Sequence, residues 1–96
     1  MNKLAEFKKQ LEELKSEIVK RFHVSSIGLF GSVVRDDFTA YSDVDIIVDF
    51  VQPVGVEFID LAEFLENKLK RNIDLVSRNG IKEKYFRNIE REIVYV

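Results

Sequence analysis

Asp43 and Asp45 stand two residues apart at the head of an apolar run, Ile46-Ile47-Val48, and a third aspartate interrupts a second run, Ile73-Asp74-Leu75-Val76. Residues two apart on a strand share a face, with Cα atoms roughly 6.5 Å apart, so Asp43 and Asp45 present two carboxylates side by side. Charges that close repel and raise one pKa unless a cation or a shared proton compensates. A hard oxygen site with few protein ligands suits Mg2+ carrying a nucleotide's phosphates. If the strand of Asp74 lies beside that of Asp43 and Asp45, the three acids form the oxygen cage that two-metal phosphoryl or nucleotidyl transfer requires. In that reading the metals neutralise charge on the leaving pyrophosphate, and Asp74 can also accept the proton of the attacking hydroxyl. Asp-x-Asp alone is more often a way of keeping a sheet face or edge in water, so its neighbours decide.

Those neighbours include Gly31-Ser32, at the end of the short apolar run Ile27-Gly28-Leu29-Phe30. A glycine at a strand end lets the backbone approach a phosphate, and amides at the start of the next helix point toward it. Taken alone the pair reads as a turn and helix cap. Arg35, one helical turn beyond Ser32, can reach the same anion or can simply be solvated. Ser42 either holds the turn before Asp43 or orients a carboxylate. An EF-hand fails on spacing, since counting from Asp43 puts Val48 and Val54 where Gly and Glu are required. The Gly-Lys-Ser/Thr phosphate loop is missing.

The elements that must position these residues can be read from periodicity. Leu4, Phe7, Leu11, Leu14, Ile18 and Phe22 recur at helical steps, predicting a helix from about Lys3 to Arg21. Val24-Ser25-Ser26 reads as a connection to a strand over Ile27–Phe30, and a short helix is expected from Ser32. A loop over Asp36–Tyr41 leads to a second strand, Asp43–Phe50, with Val44, Ile46, Val48 and Phe50 on one face and Asp43, Asp45, Ile47 and Asp49 on the other. Pro53 follows it. A helix over Val56–Lys70, a strand over Ile73–Val76, a helix over Ile81–Arg91 with Tyr85 and Ile89 inward, and an extended tail Ile93–Val96 complete the chain. The order predicts an α/β (α+β) domain over residues 1–96, a small mixed β-sheet flanked by helices.

Composition narrows the chemistry further. Of 96 residues, 46% are hydrophobic, enough for one domain with a real core. Fifteen basic and 17 acidic side chains leave a net charge of -2, which disfavours nucleic acid as a partner. There is no cysteine and His23 is the lone histidine, so a zinc centre is excluded and a hard, oxygen-bound metal remains. No stretch approaches the ~20 apolar residues of a membrane span and the N-terminus does not read as a signal peptide, so the expected location is the cytoplasm. Asp36 and Asp37 read as solvated loop groups, His23 as a cap or surface residue, Asp49 as facing solvent or a partner, and Arg78, Lys82, Lys84 and Arg87 as a basic cluster for a triphosphate, an acidic partner or solvent.

Gly31-Ser32, Arg35, Ser42-Asp43-Val44-Asp45, Asp74 within Ile73-Asp74-Leu75-Val76, and the Val94-Tyr95-Val96 ending together resemble the polymerase-beta-type nucleotidyltransferase superfamily, and within it the minimal nucleotidyltransferases of the MNT antitoxin type. The resemblance covers roughly Val24 to the end. It implies a nucleotidyltransferase fold and Mg2+-dependent transfer of AMP from ATP to a protein hydroxyl, typically a tyrosine of a partner HEPN-domain toxin in a hetero-oligomer. By position it implies that Gly31 and Ser32, with Arg35 and Ser42 beside them, hold the nucleotide, that Asp43 and Asp45 hold two metals, and that Asp74 takes a metal or the acceptor proton. Many relatives have Gly directly after the motif arginine, where this chain has Asp36. A second reading is an antitoxin that neutralises its partner by binding alone, through Phe38, Tyr41 and Tyr95 where exposed.

Overall fold

A computed structural model describes residues 3–96. The apolar stripe at the start of the chain folds as α1 (Lys3–Phe22), burying Phe7, Leu11, Ile18 and Phe22. His23, at φ 60, ends it and redirects the chain into β1 (Val24–Phe30). Val24-Ser25-Ser26 is thus the first part of the strand, not a connection. Val24 is fully buried, and a register irregularity between Val24 and Ser26 accommodates the polar serines that had masked the strand pattern.

Gly31 follows β1 and leads into α2 (Ser32–Arg35), a single helical turn. Ser32 is its first helical residue and Gly31 is the cap, with no side-chain capping bond. The loop then reaches β2 (Val44–Phe50), which is followed by α3 (Val56–Leu69) and β3 (Ile73–Ser77). Next come α4 (Glu83–Ile89), a 3-10 turn over Glu90–Glu92, and β4 (Val94–Tyr95). The last helix begins later than the spacing suggested, after an extended Lys82. Its inward residues are Phe86 and Ile89, three apart, while Tyr85 is 49% exposed and does not face the core. The Arg78 guanidinium lies 3.6 Å from the centre of the Phe86 ring, which gives one member of the predicted basic cluster a packing role.

The sheet has the order β3-β2-β1-β4. β1 pairs antiparallel with both β2 and β4, and β2 pairs parallel with β3, for which α3 supplies the crossover. This is the mixed sheet flanked by helices that the element order implied. Strand alternation divides the apolar residues between two faces. Ile27, Leu29, Val44, Ile46 and Val48 pack under α1 and α3 with Leu11, Ile18, Leu61 and Leu65. On the opposite face Phe30 and Ile47 meet Phe86 and Ile89, with Val76, Ile81 and Ile93 around them. Asp45 and Asp74 alternate onto this second face, beyond the patch that α4 covers. None of the described helices is long and apolar enough to cross a membrane.

Asp36 ends α2 in the left-handed region, at φ 75 and ψ 15. Aspartate tolerates that conformation better than most residues, but glycine adopts it without a Cβ clash. Asp36→Gly is therefore expected to stabilise the protein by about 0.5–1 kcal/mol despite the entropy that glycine adds to the unfolded chain. Urea unfolding of the two proteins side by side measures this; a lower midpoint for Asp36→Gly would contradict the loop geometry.

Candidate active site

The β2–β3 register decides which acids meet. Asp45 pairs directly with Asp74 across the parallel strands, as Val44 does with Ile73 and Ile46 with Leu75. Asp74 acts on Asp45 through its charge and a side-chain hydrogen bond, and Asp43 acts on it through charge alone. Burial, first, and then the charge and hydrogen bond of Asp74 and the charge of Asp43 push the Asp45 carboxyl from 3.8 up to about 6; Arg35 opposes them. Asp43 and Asp74 are exposed and Asp45 is half-buried, so the acids open to solvent. Among the described residues no three His, Cys, Asp or Glu side chains are already drawn into a closed metal cage. The donors present are all hard oxygens whose mutual repulsion exceeds what Arg35 offsets, the chemistry that a hard divalent cation fits.

Gly31 is what lets Asp45 sit there. Its φ is +76, and a Cβ built on it would collide with the Asp45 carboxylate, lying 2.9 Å from Cγ and closer still to Oδ2. Any other residue would meet both the backbone strain and the clash. The Gly31 carbonyl accepts from the amides of Val34 and Arg35, so the bend is continuous with α2. Phe30, just before it, pairs with Asp45 across β1 and β2.

Asp43 precedes β2 and depends on its loop. Ser42 Oγ accepts from the Thr39 amide at 3.0 Å and bonds Thr39 Oγ1 at 3.2 Å. The hydroxyl therefore holds the turn, the first of the two roles that the sequence left open. Arg71, between α3 and β3, donates to the carbonyls of Thr39, Ala40 and Ser42 at 3.1, 3.4 and 2.7 Å. Its guanidinium also stacks 4.5 Å from the Phe38 ring, and Phe38 in turn packs edge-on against Phe7. Phe38 is thus a loop anchor and not an exposed contact, whereas Tyr41 and Tyr95 are exposed. An arginine that binds three loop carbonyls leaves no spacing signal, because its partners lie some thirty positions away.

Glu92 was also missed. It spans from the 3-10 turn to the Gly31 amide and Arg35, while Arg35 Nε lies 3.9 Å from Asp37. Ser32, half-buried, begins the same helical turn. A separate apolar groove of about 680 Å³, lined by Phe58, Leu75, Val76, Ile81 and Tyr85, runs along the free edge of β3. Asp43, Asp45 and Asp74 are not part of its lining.

Residues 6–96 match the nucleotidyltransferase domain family, and the chain belongs to that family. Protein adenylyltransferase MntA of Thermococcus cleftensis is 43% identical over 94 residues, 97% of this chain and 95% of its own. A Methanocaldococcus jannaschii relative, an adenylyltransferase by name, is 34% identical over 98 residues, 100% of both chains. Among solved structures, a minimal nucleotidyltransferase superposes with a TM-score of 0.82 at 26% identity, over 98% of this chain and 95% of that one. At 20% identity the fold also matches, with a TM-score of 0.65 over 91% of this chain and 69% of the other, a tri-AMPylated Shewanella oneidensis HEPN toxin in complex with MNT antitoxin. The chain is a nucleotidyltransferase of the minimal type.

The raised Asp45 pKa makes a stability statement. The folded state holds this proton more tightly than the unfolded chain does, so as pH rises from about 4 to 6 the metal-free protein loses stability, by roughly 1–2 kcal/mol after solvent screening of a half-exposed group. Asp45→Asn has no proton to lose and acquires no charge as pH rises. It is expected to melt a few degrees above wild type at pH 8 in the absence of metal, with the difference vanishing near pH 4. Thermal melts across that range check this, and a variant less stable than wild type at pH 8 would contradict it.

Proposed function

We propose that the chain is a Mg2+-dependent protein adenylyltransferase, a single catalytic domain over residues 1–96 that transfers AMP from ATP to a tyrosine hydroxyl of a partner HEPN toxin, acting as its antitoxin in the cytoplasm. The observation that carries this reading is the register that sets Asp74 against Asp45, with Asp43 near them and Gly31 against the Asp45 carboxylate. Support for AMP and for the partner comes from the Thermococcus cleftensis relative named a protein adenylyltransferase and from the matching folds solved with an AMPylated HEPN toxin and with AMP-PNP.

In this reading Asp43 and Asp45 hold Mg2+, with Asp74 as a further ligand or as base. When bound, the metal supplies neutralisation of charge on the departing pyrophosphate and orientation of the phosphates. The Gly31 amide, the Ser32 hydroxyl and Arg35 hold the triphosphate. The acceptor oxygen attacks the α-phosphorus, the bond from that phosphorus to the bridging β-phosphate oxygen breaks, and the hydroxyl proton passes to the Asp74 carboxylate. Arg71 and Phe38 keep the loop that presents Asp43 from drifting, which matters because a small misplacement of a reacting group costs orders of magnitude in rate.

The test is to incubate the protein with Mg2+ and the product of its neighbouring gene, which this reading expects to be a HEPN protein, using ATP labelled at either the α- or the γ-phosphate. Label is expected on the partner from α-labelled ATP alone, with transfer reduced at least about 100-fold in Asp43→Ala and Asp74→Asn. Absence of transfer, or equal transfer by Asp43→Ala, would overturn the enzyme and leave an antitoxin that acts by occlusion.

A further inference from the structure

Glu92 Oε1 accepts from the Gly31 amide at 3.1 Å and from Arg35 Nη1 at 3.1 Å, and Oε2 lies 3.3 Å from the same nitrogen. The Glu92 side chain is 21% exposed and that of Arg35 52%. An amide and a guanidinium converging on one anionic oxygen form the donor set that a phosphate oxygen also takes. We propose, resting on the nucleotidyl-transfer reading above, that Glu92 is an internal stand-in for phosphate: it holds the Gly31 amide and Arg35 in place and gives them up to the nucleotide.

The surrounding charge argues for exchange over joint occupation. Asp43, Asp45 and Asp74 crowd the same end of the sheet, Asp37 approaches Arg35 from the loop, and Arg35 already acts on Asp45. A triphosphate that reached Arg35 with Glu92 still in place would add charge to a guanidinium shared among carboxylates. The exchange is mechanically simple. Glu92 lies in the 3-10 turn and can swing by side-chain rotation alone, while the tail stays on the sheet through the Gly28–Tyr95 and Leu29–Val94 pairs. Glu92 is then a positioning residue that sets nucleotide affinity, not a catalytic one.

The experiment compares wild type, Glu92→Gln and Glu92→Ala, each also carrying Arg35→Ala, for binding of Mg-ATP and of pyrophosphate by calorimetry. Glu92→Gln keeps the side-chain shape and an acceptor oxygen but not the charge, and circular dichroism verifies its fold. Both single variants are expected to bind the two probes about five- to tenfold more tightly, roughly the worth of one half-exposed charged contact, and the gain is expected to vanish with Arg35→Ala. A lower KM for ATP with little change in kcat is the kinetic counterpart. A purely structural clamp gives unchanged or weaker binding, and that result would overturn the proposal. If Mg-ATP binds none of the proteins but pyrophosphate still binds the variants more tightly, the stand-in role holds and the nucleotide reading fails. If neither probe binds any of them, both fall.

Discussion

Everything at this site follows from placing the Asp45 carboxylate where it is electrostatically uncomfortable. The parallel register of β2 and β3 sets it against Asp74, and the Gly31 bend closes over it with no Cβ to push it away. A fold selected only for stability would fill such a position with a neutral side chain, because crowded carboxylates hold a proton they would otherwise lose. Proteins keep arrangements of this kind at sites that bind a cation or move a proton.

The rest of the architecture is arranged around that constraint. A parallel pair needs a crossover, and α3 supplies it while burying Leu61 and Leu65 against one face of the sheet. The other face is divided: α4 covers the apolar part with Phe86 and Ile89, and the acids occupy the open part. The same connection that follows α4 carries Glu92 back to Gly31, so the end of the chain and the end of β1 meet at the site. Arg71, two residues before β3, fixes the loop before β2 by donating to its carbonyls. Each acid is thus held from a different direction by an element that also has a packing role.

Much of this was legible in the residues. Asp74 inside an apolar run announced a strand with one charged position, and the alternation Val44, Ile46, Val48 against Asp45, Ile47 assigned the faces of β2 correctly. The first half of β1 was hidden because Ser25 and Ser26 fall at a register irregularity, where alternation breaks. The phase of α4 was misjudged at Tyr85 because an extended Lys82 delays the helix start, and a short helix offers too few turns to correct the phase. Arg71 and Glu92 could not be found at all. Their roles depend on contacts between segments that only the fold brings together, and a lone charged residue carries no period.

The measurement closest to the central claim is anomalous diffraction from crystals grown with Mn2+ and a non-hydrolysable ATP analogue. The account expects a manganese peak in bonding contact with carboxylate oxygens of both Asp43 and Asp45, with Asp74 turned toward it and the phosphates on the Gly31 side. Manganese bound elsewhere, or an Asp74 carboxyl directed away from an occupied site, would contradict it.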